Sequence, residues 1–280
     1  MSSKNVLVYA FHTEDPEIEK YLQIQELRYS LDTLRKHNTD IDVKIYISPI
    51  GAKDRIERYI NLHNAEILDF QIDPDPRFTY KPIYSKWVDS KWKAAFHTFE
   101  KYDYENLLMI DCDTVFFNNP EIIFEKYNDA SKVYSKQDRW QELFEPFEIK
   151  GIPMNDSVVL LNRSWLGYKH TFLREKDNFA LNVIKKLWDK FDKDSGEWKY
   201  GLHLASHQYG IGEYLKSFNN SLVFFDPIDV AHAEEFEELT SKKDACILHY
   251  SNMYVQKYLP KEYWYDKDNY FSKMVEEVNK

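Results

Sequence analysis

Apolar and polar positions along the chain follow two alternating rhythms. Val6–Phe11 (VLVYAF) is a short, uninterrupted apolar run, which predicts a buried strand. Leu107–Ile110 is another such run, and Val43–Ile47 (VKIYI) and Glu66–Phe70 (EILDF) also read as strands. Between these runs the apolar residues recur at helical spacing. Tyr21, Ile24, Leu27, Leu31 and Leu34 make one stripe, on a helix opened by Asp15–Pro16 and closed near His37–Asn38. Lys53–His63 predicts a second helix with Ile56, Tyr59, Ile60 and His63 on one side. Val88, Trp92, Ala95 and Phe99 align on a third. Strands alternating with helices predict βαβ units: an α/β fold with a mostly parallel central sheet flanked by helices. In such sheets ligands bind beyond the carboxyl ends of the strands.

The second half is less regular. Gly151–Asp156 predicts a turn leading into a buried strand, Ser157–Leu161. Phe179–Phe191 predicts an amphipathic helix with Phe179, Val183, Leu187 and Trp188 as its core face. Asp194–Gly201 reads as a polar loop, followed by a short helix at Gln208–Leu215. Strands are expected at Leu222–Phe225 and Cys246–Tyr250, and a charged helix at Tyr270–Asn279. Gln71–Ser85 and Tyr134–Pro153 show no period and read as loops. No repeat, low-complexity tract or linker divides the sequence, so a single domain over residues 1–280 is expected.

Composition narrows the function. A net charge of −10 argues against a nucleic-acid binder, which carries a basic footprint. The same charge means that an anionic substrate needs a metal or a local cationic cluster to hold it. Cys112 and Cys246 are the only cysteines, so no disulfide framework is implied and a reducing compartment fits. No apolar stretch approaches the ~20 residues that span a membrane. The expectation is a soluble, cytoplasmic protein without a transmembrane segment. Aromatic residues make up 16% of the chain and offer faces on which sugar rings pack.

The candidate chemistry lies in Leu107–Pro120 (LLMIDCDTVFFNNP), where an apolar run ends in Asp111–Cys112–Asp113. On an extended backbone, side chains two residues apart point the same way, so both carboxylates can face one point past the strand. Two converging carboxylates disfavour joint ionisation unless a cation lies between them. Mg²⁺ or Mn²⁺ suits such a pair, because it takes one or two protein carboxylates and fills its shell with substrate phosphate oxygens. The plainer alternative is a pair of aspartates capping a turn.

Asn106–Phe124 (NLLMIDCDTVFFNNPEIIF) resembles the metal-binding segment of nucleotide-sugar glycosyltransferases of the GT-A fold, most of all those of family 8. Three later segments match in order. Asn155–Asn162 (NDSVVLLN) resembles the strand lining the sugar pocket, Ser206–Leu215 the segment beside the reacting carbon, and Ile247–Ser251 (ILHYS) the late strand ending in a metal-binding His. The chain departs from the family at His207, where an Asp usually precedes Gln208, and at Ser157, where a Gly usually stands. The usual Lys-Pro-Trp is reduced to Lys257–Tyr258.

The resemblance implies a single GT-A, Rossmann-like domain, residues 1–115 forming the nucleotide-binding half and 116–280 the acceptor and sugar half. It implies Mn²⁺ or Mg²⁺ held by Asp111, Asp113 and His249 against the diphosphate of a UDP-sugar. Cys112 lies within that segment, and Lys91 and Lys257 would reach the same diphosphate. Ala10, Phe11, His12 and Thr13 would cradle the nucleoside, and Asn155, Asp156 and Gln208 would surround the transferred sugar, the last two nearest the chemistry. The acceptor would be a glycan or another hydroxyl, and transfer would retain anomeric configuration. An inverting enzyme would need a general base, for which Asp156 or Glu213 could serve.

Two other readings compete. MIDCDTV also fits a haloacid-dehalogenase-type phosphatase, with Asp111 as nucleophile, Asp113 as acid/base and Asp226 with Asp229 as the acidic pair. That family opens with this strand, whereas here about a hundred residues precede it. The third reading is a non-catalytic carbohydrate-binding protein, against which the intact Asp111, Asp113 and His249 speak. A sugar nucleotidyltransferase would need a Gly-rich loop after the first strand, and AFHTEDPE has none.

Overall fold

The structure is a computed structural model that describes residues 4–12, 22–57, 60, 64–73, 76–77, 82–138, 154–188, 196–233 and 245–250. Ten strands are described: β1 (Asn5–His12), β2 (Asp42–Ser48), β3 (Ala65–Asp69), β4 (Asn106–Ile110), β5 (Thr114–Phe116), β6 (Val133–Gln137), β7 (Met154–Asn162), β8 (Leu222–Phe224), β9 (Val230–His232) and β10 (Ile247–His249). The helices are α1 (Leu22–His37), α2 (Ala52–Ile56), α3 (Pro82–Lys101), α4 (Glu121–Lys126), α5 (Lys169–Trp188) and α6 (Gly196–Ser217). A 3₁₀ segment, Arg163–Tyr168, precedes α5. Seven strands form one sheet in the order β3-β2-β1-β4-β7-β6-β8, and β5, β10 and β9 form a second. β1, β2 and β3 pair in parallel. β6 runs antiparallel to β7 and parallel to β8. This is a mixed α/β architecture.

By compactness the chain falls into two interleaved units. One comprises Met1–Gln71, Ile110–Asn128 and Asp226–Lys280, the other Ile72–Met109 and Asp129–Phe225. In the first, β1 is buried almost throughout, as its continuous apolar sequence requires. The stripe Ile24, Leu27, Leu31 and Leu34 on α1 is buried as well. So is a second, polar stripe on that helix, Glu26, Ser30 and Thr33.

The second unit is built on an aromatic core. Val88, Trp92, Ala95 and Phe99 of α3 are all buried. Phe172 of α5 packs on Trp92 with ring centroids 4.6 Å apart and edge-on to Tyr214 of α6 at 5.5 Å. Within this core Lys176 is fully enclosed and donates to Asp89 and Asp177, each at 2.6 Å. A buried ammonium of this kind persists only when paired.

Several sequence expectations change. The predicted turn Gly151–Asp156 gives way at its end to strand: Asn155 and Asp156 lie inside β7, whose nine residues bury all but the last. Pairing of Asn155 with Lys136 of β6 overrides its turn preference. β6 itself lies where a loop was expected from Tyr134. Gly196–Gly201, read as loop, is the first part of α6, so the short helix at Gln208–Leu215 is the end of a 22-residue one. α5 starts at Lys169, ten residues before the predicted Phe179. The second helix is described only over Ala52–Ile56, and the predicted start of α1 at Asp15–Pro16 and the helix Tyr270–Asn279 lie outside the described residues. β5 and β9, three residues each, were not foreseen.

Candidate active site

The first unit gathers the acidic pair. β4 delivers the chain to Asp111, after which Cys112 and Asp113 form a bend rather than continuing as strand. Thr114 closes that bend by donating its hydroxyl to the Asp111 carbonyl at 2.8 Å. The two carboxylates therefore converge through a tethered bend, not through the alternation of an extended strand. Cys112 is buried.

β10 pairs antiparallel with β5, placing His249 opposite Thr114. The Tyr250 amide donates to the Asp113 carbonyl at 3.1 Å, locking the end of β10 to the bend. His249 Nε2 lies 3.3 Å from Asp113 Oδ2. One ligand atom from each of Asp111, Asp113 and His249 falls within 4.8 Å of the others. Two carboxylates and an imidazole suit Mn²⁺ or Mg²⁺, Mn²⁺ better for its tolerance of nitrogen. On the far side of β10, His232 of β9 sits in register with His249, their rings edge to face with centroids 4.7 Å apart.

A chain of hydroxyls supports the bend. Tyr9 of β1 is bonded to Ser30 at 2.8 Å, and Ser30 to Thr114 at 3.0 Å. Thr33, one helical turn on, accepts from the Phe116 amide at 3.2 Å. Burial pushes the Tyr9 hydroxyl well above the usual tyrosine range, so it stays protonated and available as a donor.

At the carboxyl ends of β1 and β2, His12 Nδ1 lies 2.9 Å from Ser48 Oγ, both residues buried. Ala10 and Phe11 are buried in β1. Asp69 at the end of β3 accepts from the amides of Gly51 and Lys53, and Gly51 takes φ +91°, which a β-carbon disfavours. Thr13 and Lys257 lie outside the described residues.

The second unit holds a different cluster. Lys91 of α3 donates to Asp156 Oδ1 at 3.3 Å, and Gln208 of α6 approaches the same oxygen at 3.4 Å. Among the described residues, the buried Asp156 Oδ2 and Gln208 Oε1 have no hydrogen-bond partner. Two orphaned acceptors in one cluster call for a donor-rich ligand, since buried polar atoms are rarely left unsatisfied. Asn155 donates to Asp138 at 3.2 Å and accepts from the Ser157 amide at 2.9 Å. Asp138 is a buried member of this cluster that the sequence reading missed. His207 of α6 is buried.

The acidic pair of the phosphatase reading is engaged elsewhere. Asp229 accepts from Lys126 at 2.5 Å and from the Tyr127 hydroxyl, and Lys126 also lies 4.0 Å from Asp226. These bonds tie the segment before β9 to α4. Nothing in the structure supports the phosphatase.

The fold has similar solved structures. No protein-family model matches the chain, and no curated protein does so by sequence. Among solved structures, mouse xyloside xylosyltransferase 1 is similar over 90% of this chain and 99% of its own, with TM-score 0.54 at 12% identity. An active-site mutant of LgtC is similar over 98% of this chain and 95% of its own, with TM-score 0.52 at 10% identity. The glycosyltransferase GlyE of Streptococcus pneumoniae is similar over this whole chain and 63% of its own, with TM-score 0.52 at 13% identity. The fold is that of the GT-A glycosyltransferases. Among the described residues no helix is long and apolar enough to cross a membrane.

Proposed function

We propose that this chain is a metal-dependent glycosyltransferase of the family 8 type that moves a sugar from a UDP-sugar to a glycan or other hydroxyl acceptor, with retention. The observation that carries the reading is the convergence of Asp111, Asp113 and His249 within 4.8 Å on a GT-A fold. Mn²⁺ or Mg²⁺ held there supplies charge neutralisation for the departing diphosphate. The protein's own contribution is preorganisation, usually the largest catalytic effect. The tether from Thr114 and the lock from Tyr250 hold the ligand oxygens together before any substrate arrives.

In the second unit the orphaned Asp156 Oδ2 takes a hydroxyl proton donor of the transferred sugar, while Lys91 and Gln208 hold the other oxygen and so orient the carboxylate. Gln208 Oε1 is left to face the reacting carbon, and Asn155 completes the sugar contacts. Ala10–Thr13 receive the nucleoside, and Lys257 adds a cation to the diphosphate.

Calorimetric titration with UDP, GDP, CDP and their sugar conjugates, each with Mn²⁺ and with chelator, tests the reading. Metal-dependent binding of the uridine ligands, lost in Asp113→Ala, is expected. Equal binding in chelator, or none to any ligand, would refute it.

A further inference from the structure

The polar stripe of α1 runs alongside the metal-binding bend. Thr33 meets the Phe116 amide at 3.2 Å, and Ser30, one turn earlier, meets Thr114 at 3.0 Å. Helix and chain are thus in step over two successive contacts. The helix rises about 6 Å over four residues and an extended chain about 3.3 Å per residue. The next turn back, at Glu26, therefore continues the line toward the bend at Asp111–Asp113. Side chains on a helix lean toward its N-terminus, which carries the Glu26 carboxyl further along the same line.

Glu26 is only 2% exposed. Its Oε1 is fully buried and has no hydrogen-bond partner among the described residues. An unsatisfied buried carboxyl oxygen is destabilising, so this one gains nothing from its place in the fold alone. Burial, then the charges of Asp113 and Asp111, hold this carboxyl well above the ordinary range. Burial and the charges of Glu26 and Asp113 do the same to the Tyr250 hydroxyl. Both shifts agree with the contacts that run α1 alongside the bend.

We infer that Glu26 is a positioning residue of the metal centre: its free Oε1 accepts a hydrogen bond from the hydration shell of the cation held by Asp111, Asp113 and His249. The inference rests on the metal-dependent reading above. Outer partners of this kind change metal affinity about 10–100-fold when removed. A carboxyl that served only packing would leave metal affinity unchanged.

The test uses the full chain and Mn²⁺ as probe, with and without UDP, reading free Mn²⁺ by electron paramagnetic resonance. Glu26→Leu removes the acceptor and should weaken Mn²⁺ binding about 10–100-fold. Glu26→Gln keeps an acceptor oxygen and should restore affinity to within about threefold of the native protein. Native-like affinity in Glu26→Leu would overturn the inference. So would equal loss in both variants, which would mark an effect of charge alone. Should Glu26→Leu fail to fold, Glu26→Asp, which withdraws the oxygen by one methylene, must weaken binding, and unchanged affinity overturns the proposal. Asp113→Ala run in parallel separates the two levels. If it alone loses Mn²⁺, only the role of Glu26 falls; if the native protein binds none, the metal reading falls with it.

Discussion

Replacing Gly210 with alanine sets two effects against each other, and the structure decides which wins. In a helix interior alanine is favoured over glycine by about 0.8–1 kcal/mol. The added methyl, however, would stand 2.6 Å from the Ala180 amide nitrogen, 2.7 Å from the Lys176 carbonyl oxygen and 2.9 Å from Ala180 Cα. All three are backbone atoms of α5, so no rotamer change relieves the clash. Comfortable contacts begin near 3.5 Å, so α5 and α6 must separate by roughly 0.6–0.9 Å. Overpacking costs about 1–3 kcal/mol, and a clash with backbone belongs at the upper end. The net expectation is about 1–2 kcal/mol of destabilisation. For a protein of this size that lowers Tm by roughly 2–8 °C. Gln208 sits two residues before Gly210, and its approach to Asp156 is already 3.4 Å. A separation of this size breaks that bond, so transfer activity should fall beyond what stability explains. Thermal melts by circular dichroism, with donor-sugar turnover measured well below Tm, check both parts. A Gly210→Ala protein at least as stable as the native one would show that helix propensity wins and that the helices are not in such close contact.

Thr114→Val removes the tether on Asp111 and a partner of Ser30; a loss of about 1–3 kcal/mol is expected in urea unfolding, with weaker Mn²⁺ binding by calorimetry. Lys176→Ala leaves Asp89 and Asp177 buried without their cation and should destabilise by about 3–5 kcal/mol in the same assay. Lys176→Met should recover little of this, since the carboxylates remain, whereas the triple change to apolar residues should approach native stability. Burial, then the Asp229 charge, pushes the Cys246 thiol from 9.0 up to about 12. Because the unfolded thiol ionises first, this contribution is complete below about pH 9 and is lost as pH rises toward 12. Its slope is about 1.4 kcal/mol per pH unit, so unfolding of native and Cys246→Ala protein should run in step at pH 8 and diverge by that gradient between pH 9 and 11.

Where one physical rule dominated, the sequence was readable. Val6–Phe11 and Leu107–Ile110 are strands because continuous apolar runs of that length have no other way to be buried on both faces. Val88, Trp92, Ala95 and Phe99 lie inside because their spacing puts them on one helical face. The reading failed where tertiary pairing outweighed local preference. Asn155 and Asp156 are turn-formers that lie inside β7, Asn155 paired with Lys136 of β6 beside an irregular register at Ser135/Lys136. Gly196–Gly201 has loop composition but opens α6. β5 and β9 are too short to show any period at all.

The site divides along the same line. Spacing and strand context singled out Asp111 and Asp113, and the resemblance of Ile247–Ser251 to a late family strand singled out His249; the structure brings the three within 4.8 Å of one another. Asp138 was invisible, lying just past a strand that was itself read as loop. Glu26 was hidden for a different reason. At i, i+4 and i+7, Glu26, Ser30 and Thr33 make a regular polar stripe, and polar stripes on helices ordinarily face water. Here all three are buried, and two of them bond to the segment that follows the acidic pair. A polar helical face becomes informative only when the strand it covers ends in charge. Such a helix cannot turn its apolar side to that segment without stranding donors and acceptors there, so its polarity is dictated by the bend it supports. The same constraint explains why the residues beside the strand are short hydroxyls, Ser30 and Thr33.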